Sequence, residues 1–147
     1  MSKVEDAVQC FHNGFNCSQA IFSTYCEELG LDSKSALKIA CPFGSGIART
    51  AKICGAVSGA YLLIGLKHGK YLPEDNDAKE LCFRLSKEFT DRFNEIHGSI
   101  HCSDLLKYDL STPEGYQYIK DQELFKTLCP IFIRDAAVII EELLGLE

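Results

Sequence analysis

No apolar run in this 147-residue chain is long enough to cross a membrane: the longest, residues 53–66, is broken by glycine and serine and falls short of the roughly 20 residues a spanning helix needs. The opening MSKVEDAVQCF sets acids among its apolar residues and has no uninterrupted apolar core. No secretory signal is expected there, so the chain reads as cytoplasmic, without direct membrane insertion. No cluster of Lys and Arg offsets the formal net charge of −6, which argues against nucleic acid or an anionic membrane as the main partner. Sustained apolar–polar alternation is missing, and with it any sign of a strand. There is no internal repeat, low-complexity tract or dividing linker, so residues 1–147 are expected to form one domain. The sequence also lacks a CxxC, which excludes zinc-ribbon, common ferredoxin and thioredoxin-like sites. No GK[ST] follows its one Gly-rich loop, and no pair of carboxylates stands out as catalytic.

What is present is the composition of an ordinary globular protein, 46% hydrophobic and 24% charged, together with eight cysteines. A chain of this length buries a core without disulfides or metal, so stability alone does not account for the thiols. In a reducing compartment they suggest redox chemistry or metal binding rather than permanent staples.

Helical periodicity dominates. Ser2 and Glu5 form a candidate capping box before the stripe Val4, Ala7, Val8 and Phe11. A second helix is expected from Asn16 and Cys17 to Gly30, and a third after Asp32, ending at Cys41-Pro42. The loop PFGSGIART leads into an apolar helix from Cys54 to about Lys67. Residues 75–97 carry apolar positions every three or four residues and stop at Gly98. Residues 102–107 read as a short helix and 108–122 as a turn-rich connection with Pro113, Gly115 and three tyrosines and room for one helical turn. The last helix starts at Cys129-Pro130. The expected fold is an all-α, single-domain helical bundle of about five to seven helices.

The cysteines fall into two groups. Cys10, Cys26 and Cys82 lie on or near apolar stripes and read as core residues; Cys41, before a proline, also reads as structural. Cys17, Cys54, Cys102 and Cys129 each fall at the cap or in the first turn of a predicted helix. Free amides and the positive end of the helix dipole favour a thiolate there, so lowered pKa values are expected. If the four meet in space, they can form two dithiol/disulfide pairs or supply four ligands to an iron–sulfur cluster or zinc.

NCSQAIF at 16–22, FGSGIART at 43–50, CGAVSGA at 54–60, FNEIHGSIHCSDLL at 93–106 and CPIFIRDAAVIIEELL at 129–144 together resemble the bacterial and archaeal C_GCAxxG_C_C family of redox-active proteins, named for its spaced cysteines. Its four cysteines correspond to Cys17, Cys54, Cys102 and Cys129, while the other four lie outside the pattern. Members often read FGGG where this chain has FGSG, so Ser45 replaces a glycine. The resemblance implies redox activity and a redox partner, with an iron–sulfur centre and an associated transporter as further associations of the family.

Other candidates have plainer explanations. His101 precedes Cys102 but is expected at the surface or as a cap, because adjacent side chains need not share a direction. His12, His68 and His97 suit helix C-termini. Gly44 and Gly46 are expected to bring backbone close to Cys54 rather than to bind phosphate. Glu141 and Glu142 continue an exposed face. The leading expectation is thiol–disulfide electron transfer, an oxidoreductase-like activity, with Cys54 as the preferred attacking thiol and one of Cys17, Cys102 or Cys129 resolving. The partner would be a redox protein or a small disulfide. The alternatives are the same four cysteines holding an iron–sulfur cluster, or less readily zinc, and a non-catalytic helical domain associated with a transporter.

Overall fold

The computed structural model describes residues 2–146 and begins with α1 (Val4–His12), whose Ala7 and Val8 are buried. The expected Ser2–Glu5 capping box does not form. Ser2 Oγ accepts from the Val4 amide at 3.2 Å and donates to Glu141 at 3.3 Å, and Glu5 turns outward to Arg134 at 3.0 Å. Partners on the C-terminal helix displace the local ones.

Asn16 and Gln19 make the capping box that starts α2 (Cys17–Tyr25): Asn16 Oδ1 accepts from the Gln19 amide at 2.9 Å and Gln19 Oε1 from the Asn16 amide at 3.0 Å. The helix ends earlier than expected, tightening into a 3-10 turn (Glu27–Leu29) before Gly30, whose φ of 91° closes the segment. Asp32 caps α3 (Ser33–Ala40) through the Ser35 amide at 2.9 Å, and a 3-10 turn (Cys41–Phe43) follows. The next element, α4 (Gly44–Ile47), is a single turn of the opposite hand. Ser45, Gly46, Ile47, Ala48 and Arg49 have φ of 56°, 67°, 66°, 51° and 66°. The turn is closed by the Ala48 amide donating to Gly44 O at 2.9 Å.

α5 (Gly55–His68) is followed by α6 (Asn76–His97), capped by Asp75 and stopped by Gly98, as its sequence pattern predicts. After α7 (Cys102–Leu106), residues 108–122 are more ordered than expected. Thr112 Oγ1 accepts from the Gly115 amide at 3.0 Å, and Pro113 at the first helical position starts α8 (Pro113–Asp121). One turn, α9 (Leu124–Thr127), leads into α10 (Cys129–Leu144). Seven of these helices have eight residues or more, within the expected number, and the fold is an all-α single domain. No helix among the described residues is long and apolar enough to cross a membrane.

Helix α5 is the centre. Gly55, Ala56, Val57, Ser58, Gly59, Ala60, Leu63 and Ile64 are all buried, and it packs most extensively on α2, with α6 and α10 on its other sides. The small residues are explained by the neighbour: a Cβ on Gly59 would stand 2.9 Å from Ser18 O, and one on Gly55 2.9 Å from Cys17 Cβ. Phe89 and Phe93 of α6 and Ile133 and Ile140 of α10 complete the core with Ile21 and Tyr25. Cys26 is fully buried, Cys10 and Cys82 pack against the core edge, and Cys41 is exposed rather than structural filler.

Candidate functional site: four thiols around one cavity

Each of the four singled-out cysteines stands where a helix begins. Cys17, Cys102 and Cys129 are the first residues of α2, α7 and α10, and Cys54 is the N-cap of α5. Close contact between backbones brings these starts together. Gly55 allows the first turn of α5 to touch Cys17, and Gly44 lies so close to Asn16 that a Cβ there would meet its side chain at 2.3 Å. Across the site, Ile53 and His101 form an isolated antiparallel bridge. The Cys54 amide donates to Ile100 O at 2.8 Å and the Cys102 amide to Lys52 O at 2.7 Å. In extended pairing, successive side chains take opposite faces, so Cys54 and Cys102 share one face and His101 takes the other. His101 is exposed, in keeping with a surface histidine.

The four thiols line one small cavity with Ser45, Gly46, Gly55, Leu105, Leu106 and Phe132. Relative exposure is 4% for Cys54, 8% for Cys102 and 6% for Cys129, so bulk water has little access to three of the four. Cys17 is half-buried.

Burial reverses the expected pKa shift. The Cys129 thiol beside Cys17, with burial adding to it, holds Cys17 well above the ordinary thiol range. Burial pushes Cys54 up to about 12, helped by the charge of Cys17; the amides of Ala56 and Val57 at the start of α5 pull it down but do not win. Burial likewise raises Cys102, with Cys54 and Cys17 adding to the effect. The helix ends act in the expected direction, yet removing a thiolate from water costs more than one turn of amides returns. At neutral pH Cys17, Cys54 and Cys102 are protonated thiols.

Four soft sulfur donors are chemically suited to zinc or an iron–sulfur cluster. The space between them, about 20 Å³, has room for about one water, which is too little for a multinuclear iron–sulfur cluster. Among the described residues, no three His, Cys, Asp or Glu side chains are grouped so as to hold a metal ion. As arranged, the four thiols do not surround a void the size of an iron–sulfur cluster.

Several site residues were not singled out in the sequence. Leu105 and Phe132 stand three residues after Cys102 and Cys129, a spacing that places them on the same helix face as the thiols and could have identified them. His97, expected only to complement a helix end, also bonds through Nε2 to Asp135 Oδ2 at 2.8 Å and meets the Phe132 ring edge-on at 5.0 Å. Arg49 lies over the Tyr116 ring at 5.1 Å, which gives its charge a role other than phosphate binding.

A protein-family model described as "Putative redox-active protein (C_GCAxxG_C_C)" matches residues 15–143, a span that contains all four cavity cysteines. No curated protein and no solved structure matches the chain.

Proposed function

The chain belongs to the C_GCAxxG_C_C family of redox-active proteins, and from that premise we propose that it is a thiol–disulfide electron carrier whose working groups are Cys17, Cys54, Cys102 and Cys129. The observation that carries this reading is the convergence of four helix starts on one cavity lined by these thiols, with Cys17 against Cys129. In each turnover two thiols lose two electrons and two protons and join as a disulfide, while the disulfide of the partner gains both and leaves as two thiols. The shared cavity, with Cys129 the largest influence on the Cys17 thiol, favours Cys17–Cys129 as the first pair. Cys54 and Cys102, on one face of the bridge and lining the same cavity, are favoured as the second. Burial, which raises the pKa values of Cys17, Cys54 and Cys102, slows reaction of the reduced state and limits adventitious oxidation.

The test is oxidation of anaerobically purified, reduced protein with a small excess of diamide, followed by thiol counting and non-reducing peptide mapping. Loss of two or four thiols with Cys17–Cys129 and Cys54–Cys102 linkages is the expected result. Linkages confined to Cys10, Cys26, Cys41 and Cys82 would overturn the proposal. So would stoichiometric iron and acid-labile sulfide in the purified protein that disappear when the four cysteines are changed to serine.

A further inference from the structure

A second cavity, of about 430 Å³, opens on the other side of the wall that closes the thiol site. Its lining includes Leu105 and Phe132, which also line the thiol cavity, so these two side chains are the shared partition. Each is anchored one helical turn beyond a thiol, Leu105 beyond Cys102 and Phe132 beyond Cys129. Leu128, adjacent to Cys129 in the chain, lines the outer cavity as well. Two groups give this otherwise apolar groove a polar character. Lys107 follows α7 with φ of 69° and has no ion-pair partner among the described residues, and His97 is held by Asp135.

We propose that this groove binds a low-molecular-weight disulfide bearing carboxylates, and that Cys129 is the first thiol it meets. The inference rests on the dithiol reading above and names its substrate class and entrance. The volume suits one arm of such a molecule, with apolar walls for its carbon atoms and the Lys107 ammonium for a carboxylate. His97 positions the partition: with Asp135 fixing one ring nitrogen, its ring supports the edge of Phe132. When Phe132 turns aside, Cys129 sulfur attacks the near sulfur of the bound disulfide. One S–S bond forms and one breaks, and the proton leaving Cys129 ends on the departing thiol. Cys17 then attacks the mixed disulfide at Cys129, forming Cys17–Cys129 and releasing the second thiol with the Cys17 proton. Two protein thiols and one disulfide become one protein disulfide and two thiols.

The experiment mixes reduced full-length protein under nitrogen with either glutathione disulfide, which carries carboxylates, or uncharged bis(2-hydroxyethyl) disulfide, and times oxidation by acid quench and mass spectrometry. Lys107→Glu is expected to slow reaction with glutathione disulfide about fivefold or more and the uncharged disulfide by less than about twofold, as reversal of one recognition charge would. In Cys17→Ser the glutathionyl group is expected to be trapped on Cys129. An equal response of both disulfides to Lys107→Glu, or trapping on Cys54 or Cys102 in place of Cys129, would overturn the groove assignment while leaving the dithiol reading intact. Failure of the unaltered protein to form any disulfide among the four cysteines with either reagent would instead overturn the dithiol reading itself. Lys107 is exposed, so its replacement tests recognition without threatening the fold.

Discussion

Cys54 shows how a single residue can be located from sequence while its chemistry is misjudged. Its place at a helix start is legible because apolar periodicity begins directly after it, and Cys17 is equally legible from Asn16 and Gln19. The direction of the pKa shift is not, because desolvation is imposed by three other helices that meet it from distant parts of the chain. This reversal has a measurable consequence. A thiol whose pKa is raised by folding keeps its proton in the native state after the unfolded chain has lost its own. The stability it contributes is therefore intact below about pH 8.5 and declines as pH rises toward the native value. Urea unfolding of the reduced protein at pH 8, 9 and 10 is expected to show falling stability. Cys54→Ser should flatten that decline by up to about 1.4 kcal/mol per pH unit. An unchanged slope would mean that Cys54 is not held protonated by burial.

Among the elements, the helices with strong stripes and clear caps are those the sequence declares: Asp75 and Gly98 bound α6, and Gly55 and Gly59 announce that another backbone passes close, which α2 does. Residues 108–122 conceal α8, because Pro113 and Gly115 read as breakers when in fact Thr112 and Pro113 start it. The left-handed turn is the least legible element, since Ile47, Ala48 and Arg49 have no preference for positive φ and Ile47 is β-branched. Such residues cost about 1–2 kcal/mol each in that conformation, which the surrounding fold must offset. Ser45, at φ 56° and ψ 40° on the cavity wall, is the position where relief is simplest. Ser45→Gly is expected to raise stability by about 0.5–1 kcal/mol, the steric gain less the extra entropy of glycine in the unfolded chain. Chemical denaturation measures it, and a loss of stability would show that the serine is not strained.

At the scale of the whole molecule, the two ends of the chain are joined through a carboxylate that periodicity assigns to an exposed face. Glu141 Oε2 accepts from Tyr25 Oη at 2.5 Å, the Lys3 amide at 2.8 Å and Ser2 Oγ at 3.3 Å, tying the approach to α1 and the buried ring of α2 to α10. No local pattern encodes a contact between residues so far apart, although the apolar stripes do imply that α1, α2 and α10 share a core. Burial pushes the Glu141 pKa up, but these three donors outweigh it and hold the carboxyl below its usual range. A lowered carboxylate contributes stability above its unfolded pKa and loses it as pH falls through the native value. Glu141→Gln is expected to cost about 1–2 kcal/mol at pH 7, toward the low end for hydrogen bonds to a charged group because the carboxylate is partly solvated. The difference from the unaltered protein should shrink below about pH 4. Thermal unfolding across pH 3–7 checks this, and a constant difference would show that the carboxylate charge is not what matters.

The bridge at Ile53 and His101 divides the thiol site mechanically. Cys54 and Cys102 are braced by backbone hydrogen bonds running between their two segments, whereas Cys17 and Cys129 head separate helices with no such tie between them. On the proposed pairing, a Cys54–Cys102 bond would join two segments already tied by backbone hydrogen bonds, and a Cys17–Cys129 bond two helices that pack on each other. A change of redox state at Cys17 and Cys129 would then act on α2 and α10 as whole helices, and one at Cys54 and Cys102 on two locally tied segments.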